Sequence, residues 1–191
     1  ITDNDVSLGG FVGPGGVGGA STNKLWLKAD VGIEEAASDA AEDADLITSW
    51  LDQSGNASNA TQAGANRPTY RTSIVNSRPV VRFDGTDDYF GNVFTTSAQN
   101  STIFTVFAAD HTGSGTPDGP VWQQNNASGT SGFFPKYSDG NQYLVTTAGG
   151  YLSKASTFSQ NVWSTTTALY NTGTTELWKD GALNHNVATN S

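Results

Sequence analysis

Residues Asn161–Leu183 read NVWSTTTALYNTGTTELWKDGAL. Two runs rich in β-branched and aromatic residues, "NVWSTTTALY" and "TELW", are parted by a short polar stretch, and the second closes on Asp180-Gly181. Runs of this length bounded by glycine-containing turns read as strands. The same grammar continues upstream in "PVWQQ" (120–124), "GFFPKY" (132–137) and "QYLVTTA" (142–148), with Asp139-Gly140 and Gly149-Gly150 as punctuation. Further back, "STIFTVFAAD" (101–110) is apolar at Ile103 and Phe107 and also at Phe104 and Val106, which predicts a strand covered on both faces. "RPVVRFDG" and "YFGNVF" read as two strands around the turn Asp84–Asp87, and "LITSWL" (46–51) as another. "KLWLKAD" (24–30) sets Leu25 and Leu27 against Trp26 and Lys28, the period of a half-buried strand.

About ten short strands at such spacing, with almost no helix, predict an all-β chain folded as a two-sheet antiparallel β-sandwich. One segment interrupts the pattern. "EEAASDAAEDAD" (34–45) is acidic and Ala-rich, with Ile33, Ala36, Ala37 and Ala40 at helical spacing. It reads either as a short amphipathic helix or as a solvated acidic insertion.

Composition narrows the function. The chain has 191 residues, enough for one sizeable core, with 36% apolar and only 14% charged residues. A net charge of −9 supplies no basic stripe for phosphates, which argues against nucleic acid and against anionic membrane surfaces. No apolar run approaches the ~20 residues of a membrane-spanning helix, so no membrane insertion is expected. With no cysteine there are neither disulfides nor thiolate metal sites. Residues 1–22 are glycine-rich and read as a linker or tether, with a short edge strand near Phe11 and Val12 as the alternative; residues 23–191 read as the sandwich domain.

Several pieces in order, "LWLKADVG", "SWLDQSGNASNATQ", "RPVVRFDGTDDYF", "STIFTVFAA" and "TELWKDGAL", make residues Leu25–Leu183 similar to the laminin-G-like, concanavalin-A-like jelly-roll family. The resemblance is to modules of bacterial surface and secreted proteins of the adhesin or gliding-associated type. It implies a convex and a concave sheet, an extracellular, secreted or cell-surface location, and a glycan or cell-surface ligand as partner. A fold of this kind hosts lectins, hydrolases and spacers alike, so function has to be read from sites.

Glycoside hydrolysis needs two carboxylates flanking one bond. Glu34, Glu35 and Glu42 lie in the acidic insertion, Glu176 stands alone on a predicted strand, and His111 and His185 have no nucleophile–acid set around them. No catalytic residue is assigned. "PGGVGG" lacks the Gly-Lys-Ser/Thr of a phosphate loop.

The polar run "DQSGNASNATQ" (52–62) directly follows "LITSWL". Asp52, Asn56 and Asn59 can supply oxygens to a hard cation, and the resemblance implies structural calcium near such a loop. The same residues equally describe a turn that satisfies its own backbone, as does the Asp84, Asp87, Asp88 cluster of the "FDGTDDY" hairpin. For a sugar ligand, aromatic rings beside polar loops are the usual platform. The candidates are Trp122, Tyr137 and Tyr143, with Gln123, Asn125, Asp139 and Asn141 as hydrogen-bonding neighbours. The chain also ends soon after the "TELWKDGAL" hairpin, with Val187 and Ala188 as the apolar residues of "NHNVATNS". That leaves the sheet incomplete at its C-terminal edge, to be completed by neighbouring modules of a larger chain or by a partner supplying strands.

Overall fold

The computed structural model describes residues 13–14, 19, 21–91, 100–110, 119–126, 129–135, 140–145, 151–171 and 174–188. The protein is all-β: fourteen strands, every pair antiparallel, and no α-helix among the described residues. It divides into two compact units, Ile1–Phe94 and Thr95–Ser191. The glycine-rich stretch 1–22 lies largely outside the described residues, as does the edge strand considered near Phe11 and Val12.

The first unit holds β1 (Ile33–Ala36), β2 (Asp39–Ala40), β3 (Ser49–Trp50), β4 (Ala60–Thr61), β5 (Thr69–Val75) and β6 (Arg78–Arg82). Its larger sheet runs in the order β2-β1-β3-β4, and β5 and β6 form a separate hairpin. Residues directly opposed across an antiparallel ladder present side chains to one face, and consecutive residues alternate. The register therefore creates two rows. Ile33, Trp50 and Ala60 lie on one face, with Ile33 and Ala60 buried; Glu34, Ser49 and Thr61 lie on the other.

The helix considered over the acidic segment does not form; β1 and β2 take its place. Gly32 (φ 73°) and Ser38 (φ 63°) sit in the left-handed region, which confines any helix between them to a few residues. So short a helix is unstable without a long buried face, whereas β1 gains two strand partners and buries Ile33. "LITSWL" pairs only at Ser49–Trp50 plus a single bridge from Leu46 to Thr69.

"KLWLKAD" is likewise no strand: it makes one bridge, Lys28 to Val31, and is otherwise held by the 51–56 loop. The "YFGNVF" strand reduces to one bridge, Gly91 to Thr61, with residues 92–94 outside the described set. "RPVVRFDG" supplies β6 as read, but β5 and the hairpin turn escape sequence reading because that turn, Asn76-Ser77 at φ 48° and 60°, uses the mirror-image geometry without a glycine.

Gly32 is a position where glycine is required. Beyond its positive φ, an added Cβ would stand 2.9 Å from Leu51 Cβ and 2.9 Å from Gln53 Nε2. Leu51 N–H also donates to the Gly32 carbonyl at 2.7 Å, so the strands cannot simply part. Gly32→Ala is expected to lower the stability of the first unit by about 2 kcal/mol, read by urea denaturation. An unchanged midpoint would show that this crossing has room to relax.

The second unit is a sandwich. One sheet has the order β11-β10-β9-β8, from β8 (Trp122–Asn126), β9 (Gly129–Phe134), β10 (Asn141–Val145) and β11 (Tyr151–Ala155). The other has the order β14-β13-β12-β7, from β7 (Ser101–Phe107), β12 (Ser164–Asn171), β13 (Thr174–Lys179) and β14 (Ala182–Ala188). Phe133 and Leu144 from the first sheet meet Ala168, Tyr170 and Leu177 from the second, with Phe158 from a connecting loop, in one buried cluster. The Tyr170 hydroxyl donates to the Val145 carbonyl at 3.2 Å, and burial raises its pKa above the ordinary value. Buried Gln142 is likewise satisfied: its Nε2 donates to Asn184 Oδ1 at 2.6 Å, and its Oε1 accepts from Thr157.

The opening pair of runs behaves as read. β12 and β13 pair from Thr166–Lys179 to Asn171–Thr174, and Asp180-Gly181 turns β13 into β14. "NHNVATNS" contributes no separate strand, since residues up to Ala188 extend the second arm of that hairpin. One expectation is overturned at β7. Its residues alternate, and Phe104 and Val106 are 75% and 67% exposed, so the strand is covered on one face and not two. Among the described residues β7 has β12 as its only sheet neighbour, and its Ile103 and Phe107 pack against the core cluster.

Candidate functional site

The structure brings Asp52, Asn56 and Asn59 together, and their hydrogen bonds show what the polar loop does. Asp52 Oδ1 accepts from the backbone N–H groups of Trp26 (2.9 Å) and Ser54 (2.8 Å); Oδ2 accepts from Ser54 Oγ (2.6 Å) and Ser58 N–H (3.0 Å). Asn59 Oδ1 accepts from Asp52 N–H at 2.9 Å, and Asn56 Nδ2 donates to the Asn23 carbonyl at 2.8 Å. Burial pushes the Asp52 carboxyl up, but the donors from Ser54, Trp26 and Ser58 outweigh it and hold its pKa below the ordinary value. N–H and O–H donors face both oxygens. The loop works as a clamp that ties residues 23–28 to the sheet, the arrangement that the turn reading expects.

Among the described residues, three acids come within ligating distance of one another at Asp84, Asp87 and Asp88, whose carboxylate oxygens lie within 4.8 Å. Asp84 Oδ1 accepts backbone N–H bonds from Thr86 (2.8 Å), Asp87 (3.2 Å) and Asp88 (3.4 Å), and these hold its carboxyl below the ordinary range. Asp88 is shifted up, first by burial and then by its acidic neighbours. An Asx-type turn accounts for the cluster.

The expected sugar platform is not assembled as read. Tyr137 and Asp139 lie outside the described residues. Trp122 opposes Phe133 on β9, and its ring meets Tyr170 edge-on at 5.9 Å, so it belongs to the inner face of the sandwich. Asn141 and Tyr143 alternate with the buried Gln142 and Leu144 and so occupy the opposite, outward face, where Phe134 stands directly across from Tyr143. The period-two alternation thus separates Trp122 from Tyr143.

An open groove of about 510 Å³ lies in the first unit, over the Glu34–Ser49–Thr61 row. The row continues across the Thr61–Gly91 bridge, where glycine leaves the floor without a side chain. Glu34 and Glu35 line the groove from β1, where a β-bulge between Glu34 and Ala36 interrupts the alternation, Thr48 and Ser49 line it from the β3 segment, and Gln62 and Tyr89 line it as well. Tyr89 is 55% exposed. Gln62 is held at both ends of its amide: Oε1 accepts from Gly64 N–H at 3.0 Å, and Nε2 donates to the Tyr89 carbonyl at 3.5 Å.

The potential here is negative. Asp45, then burial, then Asp39 and Glu42 raise the pKa of Glu35, against a smaller opposing effect of Arg67. Sequence reading missed this groove because its members come from four separate segments that only the register aligns. Elsewhere, Glu176 accepts from Trp178 Nε1 at 2.8 Å, His185 lies on β14, and His111 is outside the described residues.

No family model, no curated protein and no solved structure matches the chain. The groove therefore has to be interpreted from its own chemistry.

Proposed function

We propose that this chain is a non-catalytic carbohydrate-binding or adhesion module of a larger extracellular surface or secreted protein, on a jelly-roll type of β-sandwich. The observation that carries this reading is the groove. Its volume falls within the usual range for small-ligand sites, and its lining combines an exposed tyrosine with hydroxyl, amide and carboxylate groups. Neighbouring strands are about 4.8 Å apart, so the row offers hydrogen-bonding groups at regular intervals, as a ligand studded with hydroxyls requires. Both carboxylates stand on consecutive residues of β1, whereas glycosidic hydrolysis needs two that flank the bond. That supports binding without turnover.

A glycan array followed by calorimetry on the best oligosaccharide tests the reading. Tyr89→Ala is expected to weaken binding by about tenfold, equivalent to about 1.4 kcal/mol, while Tyr143→Ala on the outward face of β10 leaves it unchanged. No new reducing ends are expected on prolonged incubation with the bound polysaccharide. If the array stays blank, the competing role of a structural spacer between modules takes over. Release of reducing ends would reinstate an enzyme.

A further inference from the structure

The groove carries more information than a generic sugar site, because its charges are of one sign. Its lining includes Glu34 and Glu35 and no lysine or arginine. Among the described residues, neither carboxylate takes part in an ion pair. Asp45, Asp39 and Glu42 act on Glu35 with a like charge, and Arg67 opposes them with a smaller effect. A neutral oligosaccharide would leave these carboxylates without a counter-charge, and an acidic one would be repelled.

Across the groove floor stand Ser49, Thr61 and the exposed ring of Tyr89, neutral groups that suit hydroxyls and the face of a cation. An ammonium group in the groove can donate charge-assisted hydrogen bonds to the carboxylates that line it, and Tyr89 adds a ring to the same lining. The adjacent hydroxyl row would then hold the sugar that bears it.

We propose that the groove over the Glu34–Ser49–Thr61 row selects glycans bearing free amino groups, that is, hexosamine units without N-acetylation. This rests on the carbohydrate-binding reading above and refines its substrate class. The carboxylates confer the selectivity, and the Ser49, Thr61 and Gln62 side chains read the neighbouring hydroxyls.

Calorimetry on the whole chain at pH 6 and 150 mM salt tests this with four probes of matched length: a glucosamine tetrasaccharide, its fully N-acetylated form, a glucose tetrasaccharide and tetralysine. The glucosamine oligomer is expected to bind about tenfold more tightly than either other sugar. Glu34→Gln and Glu35→Gln are each expected to remove about threefold of that advantage, and the double variant to abolish it, with the weaker binding of the glucose oligomer unchanged. Asp87→Asn, which removes one charge outside the groove lining, should leave the preference intact.

Equal binding of all three sugars overturns the selectivity while the carbohydrate reading stands. No binding of any sugar removes both. Tetralysine binding as tightly as the glucosamine oligomer, or an equal loss in Asp87→Asn, shows attraction by net charge alone and also overturns the proposal. Melting curves of each variant, expected to match the unsubstituted chain, confirm that lost binding is not lost folding.

Discussion

Asp52→Ala is expected to destabilise the first unit by about 3 kcal/mol, several times the cost of an ordinary surface substitution. One carboxylate accepts four hydrogen bonds, three of them from backbone N–H groups of Trp26, Ser54 and Ser58. Alanine leaves all of these donors short of a partner in a half-buried position. The loss extends beyond the loop, because the same clamp fastens residues 23–28: Trp26 also accepts from Gln53 N–H at 2.8 Å, and Trp50 Nε1 donates to the Lys28 carbonyl at 2.8 Å.

The substitution should also change the response to acid. Because the folded-state carboxyl is held below its ordinary value, its contribution is fully present at neutral pH and is lost as pH falls through the folded pKa. The acid side of the stability profile should therefore flatten in Asp52→Ala. Urea denaturation between pH 3 and pH 7 provides the comparison, and two parallel profiles would refute the clamp. Millimolar calcium is expected to move neither melting temperature. A calcium-dependent rise in the unsubstituted chain that vanishes in Asp52→Ala would instead restore a cation at this loop.

Phe133→Ala should cost more, about 4 kcal/mol, and should act on the second unit. Phe133 is fully buried between the two sheets, with ring centroids 5.8 Å from Phe107 and 5.5 Å from Phe158. Its removal leaves a cavity at the centre of the cluster that also contains Leu144, Tyr170 and Leu177. Since small domains are stable by only about 5–15 kcal/mol, a large share of the margin of this unit would go. Phe104→Ala supplies the internal control: the same side chain, on the open face of β7, is expected to change stability by no more than about 0.5 kcal/mol. Hydrogen exchange separates the units, with protection falling in β7 and β12 and persisting in β1 and β3 after Phe133→Ala. Equal losses from the two phenylalanine variants would mean that the outer face of β7 is also packed.

The local signals that proved legible share one property: they are carried by neighbours in the chain. Asp180-Gly181 adopts positive φ at both residues, so the β13–β14 turn could be located from two letters, and the β-branched run of β12 needed no partner to announce itself. The all-β class followed from many such pieces. The loop at 52–59 was legible in composition only. Its oxygens suit a cation or a backbone clamp equally well, and the choice depends on Trp26, distant in sequence, which the fold brings to Asp52.

What the amino-acid sequence determined by itself was the class of structure, the main turns and the exclusion of thiolate chemistry, because these depend on residue type and on contacts a few positions long. Tertiary structure alone decided the rest. Glu34 and Glu35 belong to an Ala-rich acidic run that is compatible with a helix until Ile33 finds a buried place opposite Trp50. Trp122 and Tyr143 look alike as candidate rings, yet the pairing of β8 with β9 and of β9 with β10 sends them to opposite faces. The groove exists only because the ladder sets Glu34, Ser49 and Thr61 side by side. A strand shifted by one residue would turn that row to the buried face, and the free energy that forbids the shift comes from burying distant side chains, a quantity no local stretch of sequence contains.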